Sequence, residues 1–277
     1  MNKIITGMTS ESYHKNPAIG SSTLSMASKD PYSVEWQKSC PVDEEKIKTF
    51  DFGTAMHTIC LEPHLFDSEF VVMPEMNLRT NAGKGEKTEF LMAHKDHKIL
   101  TAAEYKHLRL MFESVMAHKQ ARALIEADGL AEASYFWTDE KTGIQCKCRP
   151  DKHIHSRGLL VDVKTTPDLK KFCYSVEDYR YFVQDPWYCD GVSRFTDQQV
   201  TMEFLVIQKT IECGRYPVRV VRLPEEAIIY GRKTYRDDLD RYADFADRIH
   251  EPQTAELEMH FRFMDNAYDS MEIQLDE

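Results

Sequence analysis

The sequence predicts an α/β protein, a mixed central sheet flanked by helices with a helical N-terminal portion. Three observations predict it. Helical patterning dominates residues 17–127, strand patterning crowds residues 131–165, and a helix, two further strands and a closing helix follow in turn. At 277 residues the chain is long enough to bury a sizeable core. A single domain is expected over residues 1–250, its helical part spanning about 1–127 and its core about 128–250. Residues 251–277, with Pro252 and the ending Asp276-Glu277, are expected to form an arm or acidic tail.

Composition narrows the classes of function. No apolar run approaches the ~18 residues that a membrane helix needs. The opening MNKIITGMTSESYHKN lacks an apolar signal region, and seven scattered cysteines suit reduced thiols better than a disulfide framework. A cytoplasmic location is the expectation. The net charge of −11 weighs against a protein that merely coats nucleic acid, though not against an enzyme with a local basic groove.

In chain order, Ser21 or Ser22 is expected to cap a short helix ending near Ser28, and Asp30-Pro31 to start another, Tyr32 to Lys38. A hydroxyl-bearing helix start is also a phosphate seat. Residues 49–62 read as a buried helix stopped by Pro63, with Gly53 and His57 on one face. A short strand, Glu69 to Met73, leads to a polar loop from Asn77 to about residue 86, whose Arg79 and Lys84 are placed to contact a phosphate backbone. Residues 101–127 form an amphipathic helix or helix pair opened by a Thr101/Glu104 capping box. Strands follow at about 131–138, 144–150 and 158–165. Residues 168–196 read as helical, with Gln184 and Tyr188 on one face and Pro186 expected to kink or restart the helix. Strands Thr201 to Gln208 and Tyr216 to Leu223 come next, and Pro224 opens a helix to about His250.

The chemistry concentrates in residues 146–166, CKCRPDKHIHSRGLLVDVKTT. Asp162 and Lys164 interrupt an apolar β-branched run two positions apart, so they share a strand face. Asp151 follows Pro150, where a strand is expected to break because proline removes a ladder donor. Two carboxylates and an ammonium would meet there, and hard oxygen ligands suit Mg²⁺. A lysine beside that ion could position or deprotonate a water, or stabilise charge on a phosphate. Pro-Asp followed by Asp-x-Lys resembles the PD-(D/E)xK nuclease signature. Cys146, Cys148, His153 and His155 offer a rival set of zinc ligands, at a spacing unusual for a zinc finger.

Taken together, six blocks resemble the phage-type exonuclease VIII (RecE) nuclease domain, a relative of lambda exonuclease in the PD-(D/E)xK superfamily. They are Tyr13-His14 with Ala18 to Leu24; Asp51 to His57 with Leu61-Glu62-Pro63; Arg79 to Lys84; Cys146 to Asp151; Val161 to Thr166; and Gln184 with Tyr188. The resemblance implies a restriction-endonuclease-like core. It implies a Mg²⁺-dependent exonuclease, with Mn²⁺ as a substitute, that digests linear double-stranded DNA from the 5′ end. The 3′ single strand left behind would pass to a single-strand annealing protein in recombination. By the same resemblance His57, Asp151, Asp162 and Lys164 fall on catalytic positions. Asp151 and Asp162 are expected to hold the ion, assisted by the Val163 carbonyl, with His57 completing a second metal's shell or contacting the phosphate. Glu62 is a supporting candidate, and Ser21, Ser22, Arg79, Lys84, Gln184 and Tyr188 are candidate DNA contacts. A homo-oligomeric ring of three or four subunits and a phage or prophage origin are further implications. The alternatives are a PD-(D/E)xK endonuclease, or a DNA-end-binding protein without catalysis.

Overall fold

The computed structural model describes residues 2–41 and 52–247. Residues 49–51 and the expected tail at 251–277 lie outside them. The chain divides into two compact units, residues 1–243 and 244–277, and the sheets and the site described below belong to the first. No helix among the described residues is long and apolar enough to cross a membrane.

The chain begins with β1 (Lys3–Ile5) and α1 (Ser10–Lys15), then α2 (Ser21–Ala27) and α3 (Pro31–Ser39). Asp30 caps α3 by accepting from the Tyr32 N–H, as the Asp-Pro pair suggested. Neither Ser21 nor Ser22 caps α2. Gly20 takes that position without a side-chain bond, and the serines form the first turn. The histidine-bearing helix α4 (Phe52–Leu61) ends at Pro63, which opens α5 (Pro63–Glu69), a helix the sequence reading had not separated. Strands β2 (Phe70–Met73) and β3 (Lys98–Thr101) pair in parallel around α6 (Asn81–Ala93). The expected polar loop is therefore shorter than its composition implied. Thr80 caps α6 by accepting from the Gly83 N–H, and Lys84 lies on the helix. The pair α7 (Ala102–Ala117) and α8 (Lys119–Glu126) carries the expected Thr101/Glu104 capping box.

The strand-rich region divides more finely than expected, into β4 (Leu130–Ala131), β5 (Ser134–Thr138), β6 (Gln145–Cys148), β7 (Lys152–Ile154) and β8 (Leu159–Thr166). The crossover to the parallel strand β9 (Thr201–Gln208) carries α9 (Phe172–Asp178) and α10 (Tyr181–Ser193); β10 (Val218–Val221) and α11 (Glu225–Asp247) follow. Pro186 does not restart the helix: α10 runs through it. The missing N–H frees the Phe182 carbonyl, one turn earlier. Gly231 of α11 packs on that carbonyl so closely that a Cβ there would sit 1.7 Å from the oxygen.

The main sheet has the order β10-β9-β8-β7-β4, and a second sheet has the order β1-β5-β6. Strand alternation sorts β8. Val161 and Val163 join Met56, Leu108, Met111, Val115 and Leu124 in the core beneath α4, α7 and α8. The even positions Asp162 and Lys164 face the other way, toward the residues of α10. An 8-residue strand buried on both faces reads as a nearly continuous apolar run, so the two charges within it must be partnered.

Candidate active site

The site forms where the β7–β8 ladder gives out. Lys152 pairs with Val161, so continuing that register sets Pro150 opposite Val163 (152 + 161 − 163 = 150). Proline has no N–H to donate, and the ladder stops. The backbone groups of Val163 are satisfied by side chains instead. Its N–H donates to Asp151 Oδ2 at 2.6 Å, and its carbonyl lies 2.7 Å from His57 Nε2. The other ring nitrogen, Nδ1, stands 3.3 Å from the same Asp151 oxygen. The Pro-Asp pair thus ends one strand pairing and supplies the carboxylate that takes its place.

Asp162, 1% exposed, is held from two sides. Lys164 Nζ lies 2.5 Å from Oδ2, and Gln184 Nε2 donates to Oδ1 at 2.7 Å. Shared strand parity delivers the lysine, and the first turns of α10 deliver the glutamine. Gln184, expected to contact DNA, donates to the Asp162 carboxylate. Burial favours a neutral lysine, but the charges of Asp162 and Asp151 outweigh it and hold the Lys164 pKa above its ordinary value. Lys164 is therefore held as a cation beside Asp162, suited to orienting a water or a phosphate.

A third carboxylate joins the site that sequence reasoning did not find. Glu132 lies between β4 and β5 in the left-handed backbone region, φ 50°. Its N–H donates to the Asp151 carbonyl at 3.0 Å. Arg149 anchors the bend: its Nε donates to the Glu132 carbonyl at 2.9 Å, and its guanidinium also reaches the Met8 carbonyl. Non-glycine residues rarely adopt this conformation, and such strain gathers at functional sites. Ligand atoms of His57, Glu132 and Asp151 all lie within 4.8 Å of one another, the one such group among the described residues. The only sequence signal was an acid interrupting the apolar run Leu130-Ala131-Glu132-Ala133.

The electrostatics suit a cation. Burial, then the charge of Asp151, pushes Glu132 up to about 8; burial chiefly, with Asp162 adding, pushes Asp151 up to about 6. Burial would lower His57, yet Asp151 and Asp162 together raise it. Crowded carboxylates that hold protons this firmly lack positive charge, and a divalent ion would supply it. The donor set of carboxylate oxygens, one backbone carbonyl and one imidazole fits Mg²⁺ or Mn²⁺.

His57, Asp151 and Glu132 line a cleft of about 580 Å³ together with Glu62, Arg149 and Tyr188, which places the expected Glu62 and Tyr188 at the site. Ser21, Ser22, Arg79 and Lys84 are not among its lining residues. The rival zinc set does not assemble. Cys146 and Cys148 are buried free thiols, and His153 Nδ1 is 2.7 Å from the Tyr135 hydroxyl. All seven cysteines are free.

No curated protein sequence matches the chain. Among solved structures, a protein of Eubacterium rectale provisionally named an exonuclease superposes with a TM-score of 0.58 at 14% identity, covering 94% of this chain and 98% of that one. A phage-related exonuclease of Haemophilus somnus 129PT covers 61% of this chain and 85% of its own, at 10% identity and a TM-score of 0.29. The first likeness shows a shared fold. Residues 27–261 match a family model described as "PDDEXK-like domain of unknown function (DUF3799)". With its Pro150-Asp151 and Asp162-x-Lys164 gathered at one break in the sheet, the chain belongs to this PDDEXK-like family.

Proposed function

We propose that the protein is a divalent-metal-dependent exonuclease that degrades linear double-stranded DNA from the 5′ end, leaving 3′ single strands for a single-strand annealing protein. Nuclease chemistry itself rests on the family and on the signature residues. The single observation that carries it is the junction at Val163, where His57, Asp151, Asp162 and Lys164 converge on one strand break. The 5′ polarity, the annealing partner and a ring-shaped oligomer rest on the resemblance to the RecE-type nucleases.

Asp151, Glu132, His57 and the Val163 carbonyl would hold Mg²⁺ or Mn²⁺, with Asp162 adjoining. Such an ion, when bound, polarises a phosphoryl oxygen and lowers the pKa of a bound water. To act as a ligand His57 must be neutral, leaving one ring nitrogen without a proton to meet the ion. Lys164, kept cationic by Asp162, holds the attacking water in line with the scissile bond or stabilises the charge on a non-bridging phosphate oxygen. Gln184 fixes the Asp162 carboxylate so that the lysine points one way.

The test pairs a 5′-labelled linear duplex with the same sequence as a covalently closed circle, both in Mg²⁺. The expected result is loss of label from the linear form with the circle intact. Cutting of the circle would assign the protein to the endonucleases instead. Binding of the linear form without digestion would leave an end-binding protein. A solution mass equal to one 32.3 kDa chain would remove the ring.

A further inference from the structure

We infer that Tyr179 is a stacking platform for a nucleobase of the strand held at the active site, a contact that rests on the nuclease reading. Three aromatic rings follow one another from the core to the surface. Phe204 of β9, fully buried, is the register partner of Asp162. Tyr181 stacks on it, with centroids 5.8 Å apart and planes 27° apart. Tyr179 stacks on Tyr181 at 5.7 Å and 29°, and is 67% exposed. The middle ring belongs to the catalytic centre, since Lys164 Nζ lies 4.7 Å from its centroid.

The outer ring is held in place from behind. Arg180, between the two tyrosines, has a left-handed backbone, φ 56°. Its guanidinium reaches Ser28 Oγ of α2 and the Asp238 carboxylate of α11, and its side chain is only 13% exposed. A reversal of the chain at Arg180, tied to two helices, sets tyrosines on either side of it onto one stack.

Distance selects the occupant. The Tyr179 centroid is at most 10.4 Å from Lys164 Nζ (5.7 + 4.7). Nucleotides rise ~3.4 Å along one strand of a duplex, so a base within about three steps of the scissile phosphate reaches that ring. Aromatic rings take successive bases without regard to sequence, because every base offers a π-face. An enzyme that must peel one strand from its partner needs such a support beside the cut.

The experiment measures binding of a short duplex in Ca²⁺, using wild type, Tyr179→Ala and Tyr179→Phe. The duplexes are intact or carry one abasic nucleotide stepped through the terminal positions of each strand. On intact DNA, Tyr179→Ala should bind roughly 5- to 150-fold more weakly, the span of one base–aromatic stack, while Tyr179→Phe matches wild type. At one abasic position the penalty of Tyr179→Ala should vanish. Equal binding of intact DNA by Tyr179→Ala and wild type would overturn the platform, and so would a penalty unchanged at every abasic position. Wild type is assayed in parallel for digestion of the intact duplex in Mg²⁺. Digestion with no Tyr179 penalty removes the platform alone, whereas no digestion removes the nuclease reading and the platform with it.

Discussion

Glu132→Gln tests the metal site most directly, because stability and metal affinity should move in opposite directions. Without metal, Asp151 stands about two pH units above its ordinary value (6 − 3.8), which at about 1.4 kcal/mol per unit corresponds to roughly 3 kcal/mol of crowded, desolvated charge. Glu132, raised to about 8 by burial and by Asp151, belongs to the same crowding. Carboxyls whose folded pKa is raised contribute stability that is complete below their unfolded values, 3.8 and 4.5, and is lost as pH rises through their folded values, about 6 and about 8. The melting temperature of the metal-free protein should therefore fall between about pH 4 and pH 8. Glutamine keeps the shape and removes one charge. In chelator at pH 8 the variant should be more stable by about 1–3 kcal/mol, or roughly 2–10 °C in Tm. In Mg²⁺ the order of benefit reverses. The variant should bind the ion at least about tenfold more weakly, giving up about 1.4 kcal/mol of metal-induced stabilisation. Thermal melts across pH, in chelator and in Mg²⁺, read both effects. A variant that loses stability in chelator, or gains as much from Mg²⁺ as wild type, would refute the reasoning.

Lys164→Ala and Asp162→Ala should each abolish digestion while the far-ultraviolet circular dichroism of the fold is retained; full activity in either would remove the assignment. Gln184→Ala, which frees one oxygen of Asp162, should lower kcat by about tenfold or more with KM little changed, since the lost contact orients the site rather than binding DNA. A proportional rise in KM instead would show that Gln184 contacts DNA. Gly231→Ala should cost about 1–3 kcal/mol or more in denaturant unfolding, because its Cβ would meet the Phe182 carbonyl at 1.7 Å. An unchanged unfolding midpoint would show that α11 can shift away.

Much of the fold was legible because it is written in local patterns. The β-branched run of β8, the capping box at Thr101, the Asp30-Pro31 start and the break at Pro150 all follow from short-range rules. Elements bounded by weaker signals were misjudged. The loop before α6 looked long because glycines, which commonly end helices, sit inside this one behind the Thr80 cap. Pro186 looked like a break because the cost of its missing hydrogen bond was visible, while the glycine packed on the freed carbonyl lies 45 residues away (231 − 186).

The sequence by itself determined the chemistry on β8: an acid and a lysine at period two, behind a Pro-Asp, must share a face beside a strand end. What only the tertiary structure decided was who stands around them. His57 arrives from a helix 106 positions away to meet the Val163 carbonyl, Gln184 turns to Asp162, and Glu132 enters at a strained bend pinned by Arg149. The physical reason is that parity along a strand is set by the chain's own pleat. The partner of an orphaned carbonyl or a buried carboxylate is set by whichever distant element packs against it.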